Sequence, residues 1–122
     1  MISEVLLNMN CRDSPQEKLE FIKRTILENA KRFRVKVNRI ILFGSRARGD
    51  YRENSDWDIL IVIGGKADPK ILDEFWLSVK RVLVASGIIP EIIIVSADDF
   101  SKQKHLTGYI YYWAEKEGIT LS

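Results

Sequence analysis

The sequence predicts an α/β domain, and three features carry the prediction. Val35–Phe43, Asp58–Ile63 and Ile88–Val95 hold short, apolar, β-branched runs of strand length. Before and between them, apolar residues recur at helical spacing from Pro15 and again from Pro69. Glycine punctuates these segments at Gly44, at Gly64-Gly65 and at Gly87. At 122 residues we expect one domain spanning 1–122, with enough chain for a core and no room for a second sizeable module.

Composition narrows the class. Hydrophobic residues at 46% and charged residues at 30% exclude a disordered chain. The 19 basic and 17 acidic residues leave a net charge of +2, too mild to call for nucleic acid as a partner. Cys11 is the sole cysteine, so neither an internal disulfide nor a cysteine-built zinc site is expected, and Cys11 reads as a small filler residue. No run approaches the roughly 18 apolar residues of a membrane span. Met1–Leu7 contains Glu4 and does not read as a signal peptide. The expected location is the cytoplasm, which suits a lone thiol.

The first helix starts at Ser14-Pro15-Gln16-Glu17, with Ser14 as N-cap, Pro15 at the first helical position and Glu17 closing a capping box. Leu19, Ile22, Ile26, Ala30 and Phe33 make its inward stripe. Lys18, Lys23, Arg24, Lys31, Arg32 and Arg34 make it basic, read as a solvated outer face. A first strand, Val35–Phe43, stops at Gly44. The second, Asp58–Ile63, stops at Gly64-Gly65. From Pro69 to about Ala85 a helix carries Ile71, Phe75, Trp76 or Leu77, Val79, Val82 and Leu83 on one broad stripe, with Gly87 as its stop. Trp76 is read as a core or partner-facing aromatic.

The third strand follows, broken near its start by Pro90-Glu91. Ser96-Ala97-Asp98-Asp99 looks like a further helix start, where acids suit the dipole. His105 reads as a surface histidine. Gly108–Ser122 reads as an amphipathic helix through Tyr109-Ile110-Tyr111-Tyr112-Trp113, then Gly118 and a short strand, Ile119–Leu121.

The chemistry concentrates between the first two strands. Gly44 lets the backbone turn sharply and come close to a ligand, and Ser45 stands where a helix N-cap would be. A helix start there aims free N–H groups at an anion, and Arg46 and Arg48 add positive charge, so a polyphosphate is the natural guest. Asp56 and Asp58 share a face if the strand runs back through both, with Trp57 opposite. Two such carboxylates repel unless a cation lies between them, and Mg²⁺ or Mn²⁺ suits hard oxygen ligands. Glu91 is the leading candidate for a third acid, with Asp98 and Asp99 as rivals.

Gly44-Ser45, ten residues, then Asp56-x-Asp58 resembles the signature of the DNA polymerase β-like nucleotidyltransferase superfamily. Gly-Ser-Arg-Ala-Arg-Gly, with Ser55 before the first aspartate, is similar to its minimal nucleotidyltransferase branch, and the likeness covers about residues 17–121. The resemblance implies a mixed central sheet flanked by helices and a third acid on the next core strand, usually an aspartate, where this chain has Glu91. It implies transfer of a nucleoside monophosphate, AMP from ATP, to a hydroxyl. Asp56, Asp58 and Glu91 would serve two divalent ions, and Gly44, Ser45, Arg46 and Arg48 the triphosphate. Minimal members of this kind pair with a helical HEPN-type toxin and silence it by adding AMP to a tyrosine. Two other readings stand beside this one: an antitoxin that acts by docking alone, and the catalytic subunit of a small-molecule nucleotidyltransferase.

Overall fold

A computed structural model describes residues 14–105 and 110–122. The readings made on Met1–Leu7, Cys11, Gly108 and Tyr109 lie outside the described residues. In chain order the elements are α1 (Pro15–Phe33), β1 (Lys36–Phe43), α2 (Ser45–Arg48), β2 (Trp57–Gly64), α3 (Pro69–Ala85), β3 (Pro90–Ser96), α4 (Ala97–Gln103), α5 (Ile110–Glu117) and β4 (Ile119–Thr120). The four strands form one sheet in the order β3-β2-β1-β4. β1 runs antiparallel to both β2 and β4, whereas β2 and β3 are parallel, so the sheet is mixed as expected.

Both faces of the sheet are covered, which is why its central strands read as continuous apolar runs and not as alternating ones. On one face Ile40, Leu42, Ile59, Ile61 and Ile63 pack with Ile22 and Ile26 of α1 and with Phe75, Val79 and Leu83 of α3. On the other, Ile41, Phe43, Leu60, Val62 and Val95 pack with Phe100 of α4 and Ala114 of α5. Among the described residues no helix is long and apolar enough to cross a membrane.

The helix ends follow local chemistry. The Ser14 hydroxyl accepts the Glu17 N–H at 3.2 Å, and Pro15 opens α1. Asp68 plays the same part for α3, accepting the Lys70 N–H at 2.9 Å. At the far end of α3, Gly87 takes φ 85°. Its N–H reaches the Val84 carbonyl while the Ile88 N–H reaches that of Leu83, a Schellman closure. Ile88 thus belongs to the helix stop, and β3 begins at Pro90, where a strand's first residue tolerates a missing N–H.

The α3 stripe is narrower than its pattern suggests. Phe75, Val79 and Leu83 are buried, with Leu72 and Trp76 partly so. Ile71, Leu77 and Val82 are exposed, because a helix lying on a sheet buries only the strip that faces it. Between the helices, Ser78 donates to the Asn29 side chain at 2.6 Å, whose amide in turn donates to the Thr25 carbonyl. Trp76 donates its indole N–H to the Ile92 carbonyl at 3.0 Å, satisfying an outward-facing group of the edge strand β3.

Candidate active site

Strand directions bring the motif residues to one end of the sheet. β1 finishes where the antiparallel β2 begins, and β3 starts beside it because it runs parallel to β2. Phe43, Asp58 and Glu91 are therefore consecutive in register across three strands. Glu91 faces the same side as Asp58, since register partners in a sheet share a face. Asp98 and Asp99 follow Ser96, whose partner is Ile63 at the opposite end of β2. They sit in the first turn of α4, where Ser96 accepts the Asp99 N–H and Asp98 pairs with Lys102. Of the three candidates for the third acid, Glu91 is thus the one the sheet carries to Asp58. His105 is exposed in the turn after α4.

The turn after β1 is built on Gly44, with φ 74° and ψ −158°, a region essentially open to glycine alone. Gly44 itself is the N-cap of α2 and Ser45 the first helical residue, so the helix begins one residue earlier than the sequence suggests. The glycine torsions make the turn early, and the Gly44 carbonyl accepts from both Ala47 and Arg48 at 3.1 Å. The amides of Ser45 and Arg46 precede those first helical bonds. A Cβ on Gly44 would run into Oδ2 of Asp58 and lie 3.0 Å from its Cγ, so this backbone lies directly against the Asp58 carboxylate.

β2 starts at Trp57, leaving Asp56 just outside the strand and exposed. Trp57 turns to the opposite face and is 4% exposed in the α1/α3 core. Asp58 is half-buried, and its carboxyl is held above its ordinary value, first by desolvation, then by the charges of Asp56 and Glu91; Arg48 pulls the other way. Both partner acids are thus close enough to act on Asp58. Among the described residues no three His, Cys, Asp or Glu side chains form a ready-made metal group. The donor set nonetheless suits a hard divalent cation: a half-buried Asp58 beside the exposed Asp56 and Glu91, whose mutual repulsion such an ion would relieve.

The two arginines, interchangeable in the sequence reading, have separate surroundings. Arg46 lies between Tyr51 and Trp57, its Cζ 4.4 Å from each ring centroid, and donates to the carbonyls of Glu53 and Ser55. Arg48 is about half exposed and pairs with Asp50 at 3.4 Å and Glu117 of α5 at 3.9 Å. Ser55 closes a turn in the loop from α2 to β2, accepting the Arg52 N–H at 2.8 Å. The aromatic pair around Arg46 was not read from the sequence, where the only signal for it is that Tyr51 and Trp57 flank a polar loop. Nothing local announces the contact between Arg48 and Glu117.

The chain matches the family model described as a nucleotidyltransferase domain over residues 22–117. A candidate protein adenylyltransferase of Methanocaldococcus jannaschii is 37% identical over 82 residues, 67% of this chain and 77% of that protein. A second from the same organism is 47% identical over 47 residues, 38% of this chain and 48% of its own length. Among solved structures, a candidate nucleotidyltransferase from Sulfolobus solfataricus superposes with TM-score 0.55 at 24% identity, covering 90% of this chain and 84% of the other. The toxin–antitoxin MntA–HpeT mutant superposes with TM-score 0.53 at 19% identity, covering 81% and 71%. These two likenesses speak to fold alone. The family match over most of the chain, together with the mixed sheet and its flanking helices, places this chain in the nucleotidyltransferase domain family, in the minimal, polymerase β-like branch.

Proposed function

We propose that this chain is a metal-dependent nucleotidyltransferase that moves AMP from ATP onto a hydroxyl, a tyrosine of a HEPN-type toxin, and so acts as an antitoxin. The observation that carries the reading is the meeting of the Gly44 turn with three acids, Asp56, Asp58 and Glu91, at one end of the sheet. The names of the M. jannaschii relatives support protein as the acceptor. The fold shared with the toxin–antitoxin structure supports the pairing.

In the reaction the acceptor oxygen forms a bond to the α-phosphorus while the bond to the β-phosphate oxygen breaks, and pyrophosphate leaves. Divalent ions held by Asp56, Asp58 and Glu91 would acidify the hydroxyl and screen the leaving charge. Gly44, lacking a side chain, lets this backbone lie against the Asp58 carboxylate, so that a phosphate held on the amides of Ser45 and Arg46 would sit next to the acids. The Ser45 hydroxyl donates to a phosphate oxygen. Arg48, whose ion pairs among the described residues are with the partly exposed Asp50 and Glu117, is free to exchange them for the pyrophosphate oxygens. Glu91, open to solvent beside Asp58, offers a carboxylate oxygen to take the hydroxyl proton.

The test is intact mass after incubation with Mg²⁺ and ATP, with and without the product of the adjacent reading frame. Addition of AMP to the partner, lost in Asp56→Asn, is the expected result. No addition to either chain, with tight association of the two retained, would overturn transfer in favour of neutralisation by docking.

A further inference from the structure

Arg46 is one residue from Ser45, yet its guanidinium is turned toward the loop that carries Asp56. Its Cζ lies 4.4 Å from the Tyr51 centroid and 4.4 Å from that of Trp57. In the same pose Nη2 donates to the Glu53 carbonyl at 3.0 Å and to that of Ser55 at 3.1 Å, and Nε reaches the Ser55 carbonyl at 3.4 Å. One ring is fixed in the core and the other is 37% exposed, so the guanidinium ties a surface loop to the buried Trp57. The pinned carbonyl of Ser55 belongs to the peptide bond that leads into Asp56.

We propose that Arg46 is a positioning residue for the acid pair: it fixes the backbone leading into Asp56, so that this carboxylate is delivered beside Asp58. The geometry stands by itself; its consequence for metal and nucleotide rests on the transferase reading above. Only a planar, many-donor cation fills the role. A guanidinium presents two faces to two rings while its edge donors reach two carbonyls. Lysine keeps the charge in a single ammonium and cannot do both. For a direct phosphate ligand the same replacement is far milder, since an ammonium serves as a point charge toward phosphate.

The experiment compares wild type, Arg46→Lys and Tyr51→Leu without nucleotide. Amide exchange is read over residues 51–56, Mn²⁺ affinity by electron paramagnetic resonance, and ATP affinity separately. In Arg46→Lys, exchange over the loop rises and Mn²⁺ binding weakens on the order of tenfold. Tyr51→Leu, which removes the exposed ring and leaves Arg46 in place, moves both in the same direction by less. If Arg46→Lys does not fold, Tyr51→Leu carries the comparison. Wild-type exchange and Mn²⁺ affinity with weakened ATP binding would overturn the proposal and make Arg46 a phosphate ligand. A wild-type protein that binds no Mn²⁺ would overturn the transferase reading, and loop exchange would then decide the positioning role alone.

Discussion

Gly44→Ala tests the physical basis of the site most directly. Two separable effects act at this position. The torsions, φ 74° and ψ −158°, lie where a Cβ is strained by about 1–3 kcal/mol. The new methyl would also overlap the Asp58 carboxylate, and overpacking of this kind costs about 1–3 kcal/mol. Together they predict about 2–6 kcal/mol of lost stability, a large share of the 5–15 kcal/mol typical of a domain. Gly49→Ala measures a positive-φ cost without overlap, because Gly49, at φ 89° and ψ 2° in the left-handed helical region, has nothing within 4 Å of its Cβ position; it sets a lower bound on the torsional part at Gly44. Its cost should be about 1–2 kcal/mol. Urea denaturation of both, and of Gly44→Ala combined with Asp58→Ala, measures the contact. Removing the carboxylate leaves only the Asp58 Cβ, 3.3 Å from the added methyl, so the double variant should recover at least about 1 kcal/mol relative to the sum of the singles. Additivity within about 0.5 kcal/mol would refute the close approach of Gly44 to Asp58.

The remaining predictions concern charge and the sheet edge. The Asp58 carboxyl lies above its ordinary 3.8, so the native state holds its proton more tightly than the unfolded chain. Stability therefore falls as pH rises from the ordinary carboxylate range through the folded pKa, and stays reduced above it. Asp58→Asn without metal should melt above wild type at pH 7, the gap narrowing as pH falls through the raised folded pKa and closed once pH is below about 4; a gap independent of pH would contradict this origin. Mg²⁺ at 100 times its dissociation constant should stabilise wild type by about 2.7 kcal/mol and leave Asp58→Asn unmoved. Glu91→Gln should bring the Asp58 pKa down toward its ordinary value in a carboxyl NMR titration; an unchanged value would remove Glu91 from the site. Trp76→Phe should cost about 1 kcal/mol through the lost bond to the Ile92 carbonyl, with Mn²⁺ affinity unaltered. Altered Mn²⁺ affinity would tie this edge to the site.

Much of the fold was legible because local signals and burial agree. Ser14-Pro15 and Pro69 start α1 and α3 where the capping pattern places them, and Phe75, Val79 and Leu83 form the inward strip. The errors arise where a one-dimensional pattern meets a three-dimensional neighbour. Ile71, Leu77 and Val82 have the right residue type, but the flat sheet leaves the flanks of α3 uncovered. Ser45 is an excellent N-cap by type, yet Gly44 turns the chain first. The Asp56-x-Asp58 spacing is plain in the sequence, but Glu91 joins it only through strand register, a property of pairing and not of any segment. The different surroundings of Arg46 and Arg48 are the hardest to read. Two identical residues on one short helix diverge because one points toward Tyr51 and Trp57 and the other toward Asp50 and Glu117.

Among the described residues, the parallel pairing of β2 and β3 is what brings Glu91 into register with Asp58. Were β3 antiparallel to β2, its first residues would pair near Ile63, and Glu91 would lie roughly 15–20 Å from Asp58 at about 3.3 Å per residue. A two-residue hairpin would have sufficed for that arrangement. The chain instead spends the 17 residues of α3 returning to the end of the sheet where β2 began. That return brings a third negative charge to a place where two already repel, which is unfavourable for folding by itself. The helix offsets it by burying Phe75, Val79 and Leu83, all fully inaccessible, on the face opposite the charges. The same crossover that assembles the destabilising cluster thus supplies much of the apolar contact that tolerates it. A change that loosens α3 from the sheet should therefore disturb the acids through β3 register before it disturbs the Gly44 turn, which is anchored on β1.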